Sequence, residues 1–120
     1  MQSIHILVAS TSPAFLHAAT QMLRHDVRIA KVEEAQTAQE AVEQAKACRP
    51  DVVFLDVKLP ALSLVEIVSQ LRVQSCTSRI VLMTLDEATL YRIAASQFGL
   101  AGVIDKTHFA EGFKAFLDAL

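Results

Sequence analysis

Val52-Val53-Phe54-Leu55 is an unbroken apolar run bounded by Asp51 and Asp56, with Pro60 closing the stretch. A run without polar alternation has no side to show to water. It therefore reads as a strand covered on both faces, the situation of strands in parallel sheets flanked by helices. Asp56 then stands at the carboxyl end of that strand. In open α/β sheets, ligands and chemistry gather just beyond those ends.

The rest of the chain supplies matching units. Ile4 to Ala9 is a first apolar strand, with His5 expected as a solvent-touching edge residue. Ser12 and Pro13 make a helix start: a hydroxyl cap, then proline where no amide donor is needed. Phe15, Ala19, Met22 and Leu23 share one face of that helix. Val27 to Glu33 predicts a less buried second strand through Val27, Ile29 and Val32. Thr37 with Glu40 forms a capping box for a second helix, whose Ala38, Ala41, Val42 and Ala45 are small enough for close packing, and Arg49-Pro50 ends it. Ser63 with Glu66 is a second capping box, and Leu64, Val68 and Leu71 line the third helix. Arg79 to Thr84 is another apolar strand. Asp86 is expected to cap a fourth helix, with Leu90, Ile93 and Ala94 inward and Gly99 as its left-handed terminator. Ala101 to Asp105 is a fifth strand. Thr107 is expected to cap a last helix whose Phe109, Phe113, Phe116, Leu117 and Leu120 form one apolar stripe, read as core.

Five strands alternating with five helices predict an α/β fold, a doubly wound (βα)5 parallel sheet with helices on both faces, because each crossover is right-handed and returns over the sheet. The 120 residues are expected to form one domain, with any effector domain outside this sequence. At 52% hydrophobic and 20% charged residues the chain is globular, and a net charge of −2 with both signs interspersed gives no electrostatic footprint for nucleic acid or an anionic membrane. Cys48 and Cys76 lack metal-ligand spacing and follow no secretory signal, so they read as reduced thiols of a cytoplasmic protein. Every apolar run is shorter than a membrane span.

In such a sheet the residues at the carboxyl ends of strands one, three, four and five are Ser10 and Thr11, Asp56, Thr84 and Lys106. They converge on one edge. A carboxylate, hydroxyls and an ammonium there can handle an anion, with Asp56 either paired to Lys106 or acting as a nucleophile toward phosphorus.

Asp56 ending the third strand with Pro60 four residues on, Thr84 ending the fourth and Lys106 following the fifth form a pattern over the whole chain that resembles the receiver domain of two-component response regulators. The resemblance implies a flavodoxin-like sheet of order 2-1-3-4-5 and a signalling role rather than that of an enzyme. It also implies that Asp56 accepts a phosphoryl group from a histidine kinase or phosphotransfer protein, that Thr84 hydrogen-bonds the phosphoryl oxygens, and that Lys106 neutralises charge. Movement of these groups would alter the surface of helix four, strand five and helix five, a possible homodimer face. Magnesium would be held by Asp56, the Lys58 backbone carbonyl and an acidic pair after strand one.

That acidic pair is replaced by Ser10 and Thr11. Magnesium wants hard, usually anionic oxygen ligands, and phosphoryl transfer is catalysed mainly by positioning and charge neutralisation. A unit-charge interaction at ~4 Å is worth about 4 kcal/mol at an effective dielectric of about 20, so the loss of two carboxylates predicts weak magnesium binding. Leu85 stands where the family prefers a small residue, Val103 where it commonly has an aromatic one, and Leu64 where glycine is common. Together these predict an atypical receiver, phosphorylated slowly or not at all. Lys58 reads either as a solvated side chain or as an ammonium folded over Asp56 in place of the metal. Two other readings stay open. One is a phosphorylation-independent interaction module using Tyr91, Arg92, Val103 and Lys114. The other is a flavodoxin-like phosphate or flavin site at Ser10-Thr11-Ser12, which lacks glycine and has only Tyr91 for stacking.

Overall fold

The computed structural model describes residues 3–75, 77–85 and 88–120. Cys76 and Asp86, with the readings attached to them, lie outside the described residues. Five strands, β1 (Ile4–Ala9), β2 (Ile29–Ala35), β3 (Val52–Asp56), β4 (Arg79–Thr84) and β5 (Gly102–Asp105), form one parallel sheet of order β2-β1-β3-β4-β5. Five helices connect or follow them: α1 (Pro13–Arg24), α2 (Ala38–Cys48), α3 (Leu64–Gln74), α4 (Ala88–Gln97) and α5 (Phe109–Asp118). This is the expected 2-1-3-4-5 fold.

The apolar runs explain the two-layered core. Every residue of β3 is buried, and alternate side chains enter opposite layers: Val52 and Phe54 join the α1/α5 side, Val53 and Leu55 the α2/α3/α4 side. β1 lies between β2 and β3, so His5 is half-buried inside the sheet rather than on its edge. Its amide donates to Asp51 Oδ2 at 2.8 Å.

Helix starts follow their caps. Ser12 Oγ accepts from the Phe15 amide, and Ser63 makes the full reciprocal box with Glu66. The Thr37 box is half formed: Thr37 Oγ1 accepts from the Glu40 amide, while the Glu40 carboxylate takes the amide of Gln36 instead of Thr37.

Several local expectations are corrected. β2 begins at Ile29, and Val27 is exposed, because Asp26 folds the preceding residues into a turn by accepting the amides of Arg28 (2.9 Å) and Ile29 (3.1 Å). The buried stripe of α1 is Leu16, Ala19, Thr20 and Leu23. Thr20 is tolerated there because its hydroxyl donates to the Glu34 carboxylate, and Met22 is left exposed. α3 buries Ile67 beside Val68 and Leu71, with Leu64 only partly covered. α4 is rotated from expectation: Leu90 is 67% and Ile93 55% exposed, while Ala95 is buried and Tyr91, Ala94 and Phe98 are half-buried. Leu120 is exposed, outside the buried part of the last apolar stripe. Thr107 does not cap α5. It lies in a 3-10 turn, Lys106–His108, where its amide and hydroxyl both donate to Asp105 Oδ1 at 2.9 and 2.7 Å.

Candidate functional site

Parallel strands all present their carboxyl ends on one side, and the described contacts gather there. Ser10 follows β1 directly and is fully buried, Asp56 ends β3, Thr84 ends β4 and is buried, and Lys106 follows β5. The β3–β4 register pairs Asp56 with Met83, so Thr84 stands one residue beyond it on the neighbouring strand. Thr11 points the other way in burial terms, being exposed. Of the two residues in the acidic-pair positions, only Ser10 enters the cluster.

Asp56 is the hub. Its Oδ2 accepts from Lys106 Nζ at 2.8 Å and from Ser10 Oγ at 3.1 Å, and its Oδ1 accepts from the Lys58 amide at 3.1 Å. Lys58 thus meets Asp56 through its backbone N–H, its side chain being exposed, and the ammonium on the carboxylate is that of Lys106. Side-chain exposure is 11% for Lys106 and 8% for Asp56, so the pair sits largely out of water, where removing either partner is costly. Ser10 Oγ also accepts from the Ser12 amide at 3.2 Å and lies 3.5 Å from Lys106 Nζ. Among the described residues no buried side-chain nitrogen or oxygen lacks a partner.

Phe15 joins this cluster, a place that its helical spacing alone does not signal. Lys106 Nζ lies 4.6 Å from the Phe15 ring centroid. Beyond the ammonium, Asp105 caps the 3-10 turn, and the Thr107 hydroxyl, then its amide, hold the Asp105 carboxyl below the usual carboxylate range. Leu85 is exposed, and Val103 is half-buried against the α4 side of the core.

The donors that the described residues offer do not fit a magnesium ion. Among the described residues the cluster offers one carboxylate, and both of its oxygens already accept from donors, one of them a full positive charge. Among the described residues no three His, Cys, Asp or Glu side chains gather as a metal site. Two of the three hydroxyls in Ser10-Thr11-Ser12 are also engaged, Ser10 with Asp56 and Ser12 as the α1 cap.

The profile of the response regulator receiver domain matches residues 6–117. The chain belongs to the receiver domain family. Receiver relatives include the protein-glutamate methylesterase/protein-glutamine glutaminase 4 of Myxococcus xanthus, 31% identical over 104 residues, which is 86% of this chain and 30% of that protein. The corresponding protein of Colwellia psychrerythraea is 32% identical over 80 residues, 67% of this chain and 21% of its own length. This receiver therefore spans less than a third of those two relatives. The response regulator domain of Thermotoga maritima CheB shares its fold, with a TM-score of 0.81 at 23% identity, covering 98% of this chain and 93% of that one. No helix among the described residues is long and apolar enough to cross a membrane.

Proposed function

We propose that this receiver domain is a closed signalling module in which Asp56 is the inherited phosphoacceptor but metal-dependent phosphorylation is slow or absent. The observation that supports this most is the double engagement of Asp56 Oδ2 by Lys106 and Ser10 in a largely water-excluded pocket. Phosphoryl transfer gains its rate from positioning and from neutralising charge on the transferred group. Here the Lys106 ammonium neutralises the acceptor itself, and Ser10 supplies a hydroxyl where a carboxylate would recruit a cation. Thr84 keeps the place of the phosphoryl-binding hydroxyl and Lys106 that of the charge-neutralising group.

A histidine kinase or phosphotransfer protein is the partner class that goes with this reading, and residues 1–120 act as a single receiver unit. Methylesterase activity belongs to the named relatives and is not carried over. Intact mass after incubation with acetyl phosphate and magnesium tests the proposal. Wild type is expected to gain no phosphoryl group on the timescale in which Ser10→Asp/Thr11→Asp gains one, and that gain is expected to vanish when Asp56→Asn is added. Rapid stoichiometric phosphorylation of the wild type overturns it.

The exposed Leu90 and Ile93 on α4 favour a second reading, an interaction or dimerisation module around α4, β5 and α5. A mass by light scattering that rises with concentration and falls back in Leu90→Ser/Ile93→Ser, with or without phosphodonor, is expected on that reading. A monomer at all concentrations counts against the homodimer.

A further inference from the structure

The contacts around Asp56 close into a ring. Asp56 Oδ2 holds Lys106 and Ser10, and Ser10 Oγ takes the Ser12 amide. Ser12 Oγ takes the Phe15 amide, and the Phe15 side chain returns to Lys106, with the ammonium 4.6 Å from the ring centroid. Ser12 caps α1 and Phe15 stands in its first turn, so one helix start supplies both the cap and the ring. The ring itself is fixed from behind. Phe109, the first residue of α5, meets it edge-on at 5.5 Å and 79°, and Phe109 is in turn edge-on to Phe54 at 5.3 Å, two residues before Asp56 on β3.

We propose that Phe15 is a positioning residue that holds the Lys106 ammonium on Asp56 through the face of its ring. An ammonium on a flexible four-carbon stem has many rotamers and is strongly hydrated. Asp56 and Ser10 approach it from the strand ends, and an aromatic face with its negative quadrupole covers a further side while excluding water. The ring thereby attracts the charge without offering a lone pair that would compete with Asp56. An aliphatic side chain of similar bulk fills the same space but attracts no cation. This inference rests on the closed-pocket reading above, and its test separates the two.

Two measurements on the intact chain decide it. In the wild type, the Lys106 Cε protons are expected to be shifted upfield in the NMR spectrum by the Phe15 ring current, and ordinary shifts there overturn the proposal without any variant. Reductive methylation with formaldehyde and borohydride, read by peptide mass, is expected to leave Lys106 protected relative to the exposed Lys31, Lys46 and Lys114. Phe15→Leu is expected to raise labelling of Lys106 roughly tenfold, the scale of a desolvated cation–π contact, with Lys31, Lys46 and Lys114 unchanged, and Phe15→Tyr is expected to restore protection. A folded Phe15→Leu with Lys106 still protected, or a Phe15→Tyr labelled like the leucine variant, overturns the role of Phe15 and leaves the closed pocket standing. Wild-type Lys106 labelled as fast as the exposed lysines overturns the closed pocket itself.

Discussion

The two sides of the sheet are built differently. On the α1/α5 side Phe54, Phe109 and Phe113 are buried, Phe15 and Phe116 pack against them, and the rings meet largely edge-to-face. On the α2/α3/α4 side Ala35, Ala38, Ala41, Ala45 and Ala95 alternate with leucine, isoleucine and valine. Small residues let helices come close but bury little area each, whereas aromatic rings bury much and lock in specific orientations. The aromatic side is also tied at both ends of the strands. Arg28 joins Asp26 to Asp118 near the strand starts, and Lys106 joins Asp56 and Phe15 near the strand ends. The difference teaches where this receiver is stiff: the half that carries Lys106 is held from both ends, while α4, among its described side chains, is seated through buried Ala95 and half-buried neighbours.

The largest effect should come from the aromatic layer. Phe113→Ala is expected to cost about 3–5 kcal/mol in urea unfolding, and in the wild type the amides of α4 should exchange with deuterium before those of α5. Exchange in the reverse order would break the comparison. Lys106→Met should follow, at about 3 kcal/mol or more, because it strands a buried carboxylate. Combining it with Asp56→Asn should recover most of that loss, and a double variant as unstable as Lys106→Met would show that packing, not charge, ties this end.

Gly112 marks how closely α5 approaches the sheet. A Cβ there would lie 2.5 Å from Ile104 Cγ2, and Ile104 is itself buried. Gly112→Ala gains helix propensity but overpacks, so a net loss of about 1–2 kcal/mol is expected in the same assay.

Asp26 gives a pH handle on the other tie. The Arg28 side chain holds its carboxyl at about 2, against an ordinary 3.8. A depressed folded-state pKa contributes stability that is fully present above about pH 4 and is lost as pH falls through about 2. Stability of the wild type should therefore fall more steeply than that of Arg28→Gln between those values, and parallel curves would remove the ion cluster from the account. Leu90→Ser/Ile93→Ser should have the smallest effect on stability, within about 0.5 kcal/mol per site, since both side chains are exposed. A large loss would restore the inward orientation that periodicity alone predicts.

That last case shows what the sequence could carry. β3 and β4 were legible because an unbroken apolar run admits few settings, and the convergence of Ser10, Asp56 and Lys106 followed from parallel strands alone. The caps at Ser12 and Ser63 were legible because a side-chain acceptor and its amide lie within one turn. The facing of α4 was not, since Leu90-Ile93-Ala94 and Tyr91-Ala94-Ala95 both run at helical spacing and share a residue. The start of β2 was hidden by a turn that Asp26 makes with its own neighbours. Phe15 was seen as apolar, yet its place over Lys106 depends on how the start of α1 meets the turn after β5, an encounter between distant segments that periodicity does not encode.

Ser10 bears on charge balance as well as on hydrogen bonding. An aspartate at this fully buried position would set a second negative charge beside Asp56 and its Lys106 partner. Such a chain would lose stability until a divalent ion bound, and Thr11, being exposed, would have to change as well before a full acidic pair was in place. The buried serine thus sets an order of admission for charge at this edge: a lone carboxylate at position 10 carries a cost that one at the exposed position 11 does not.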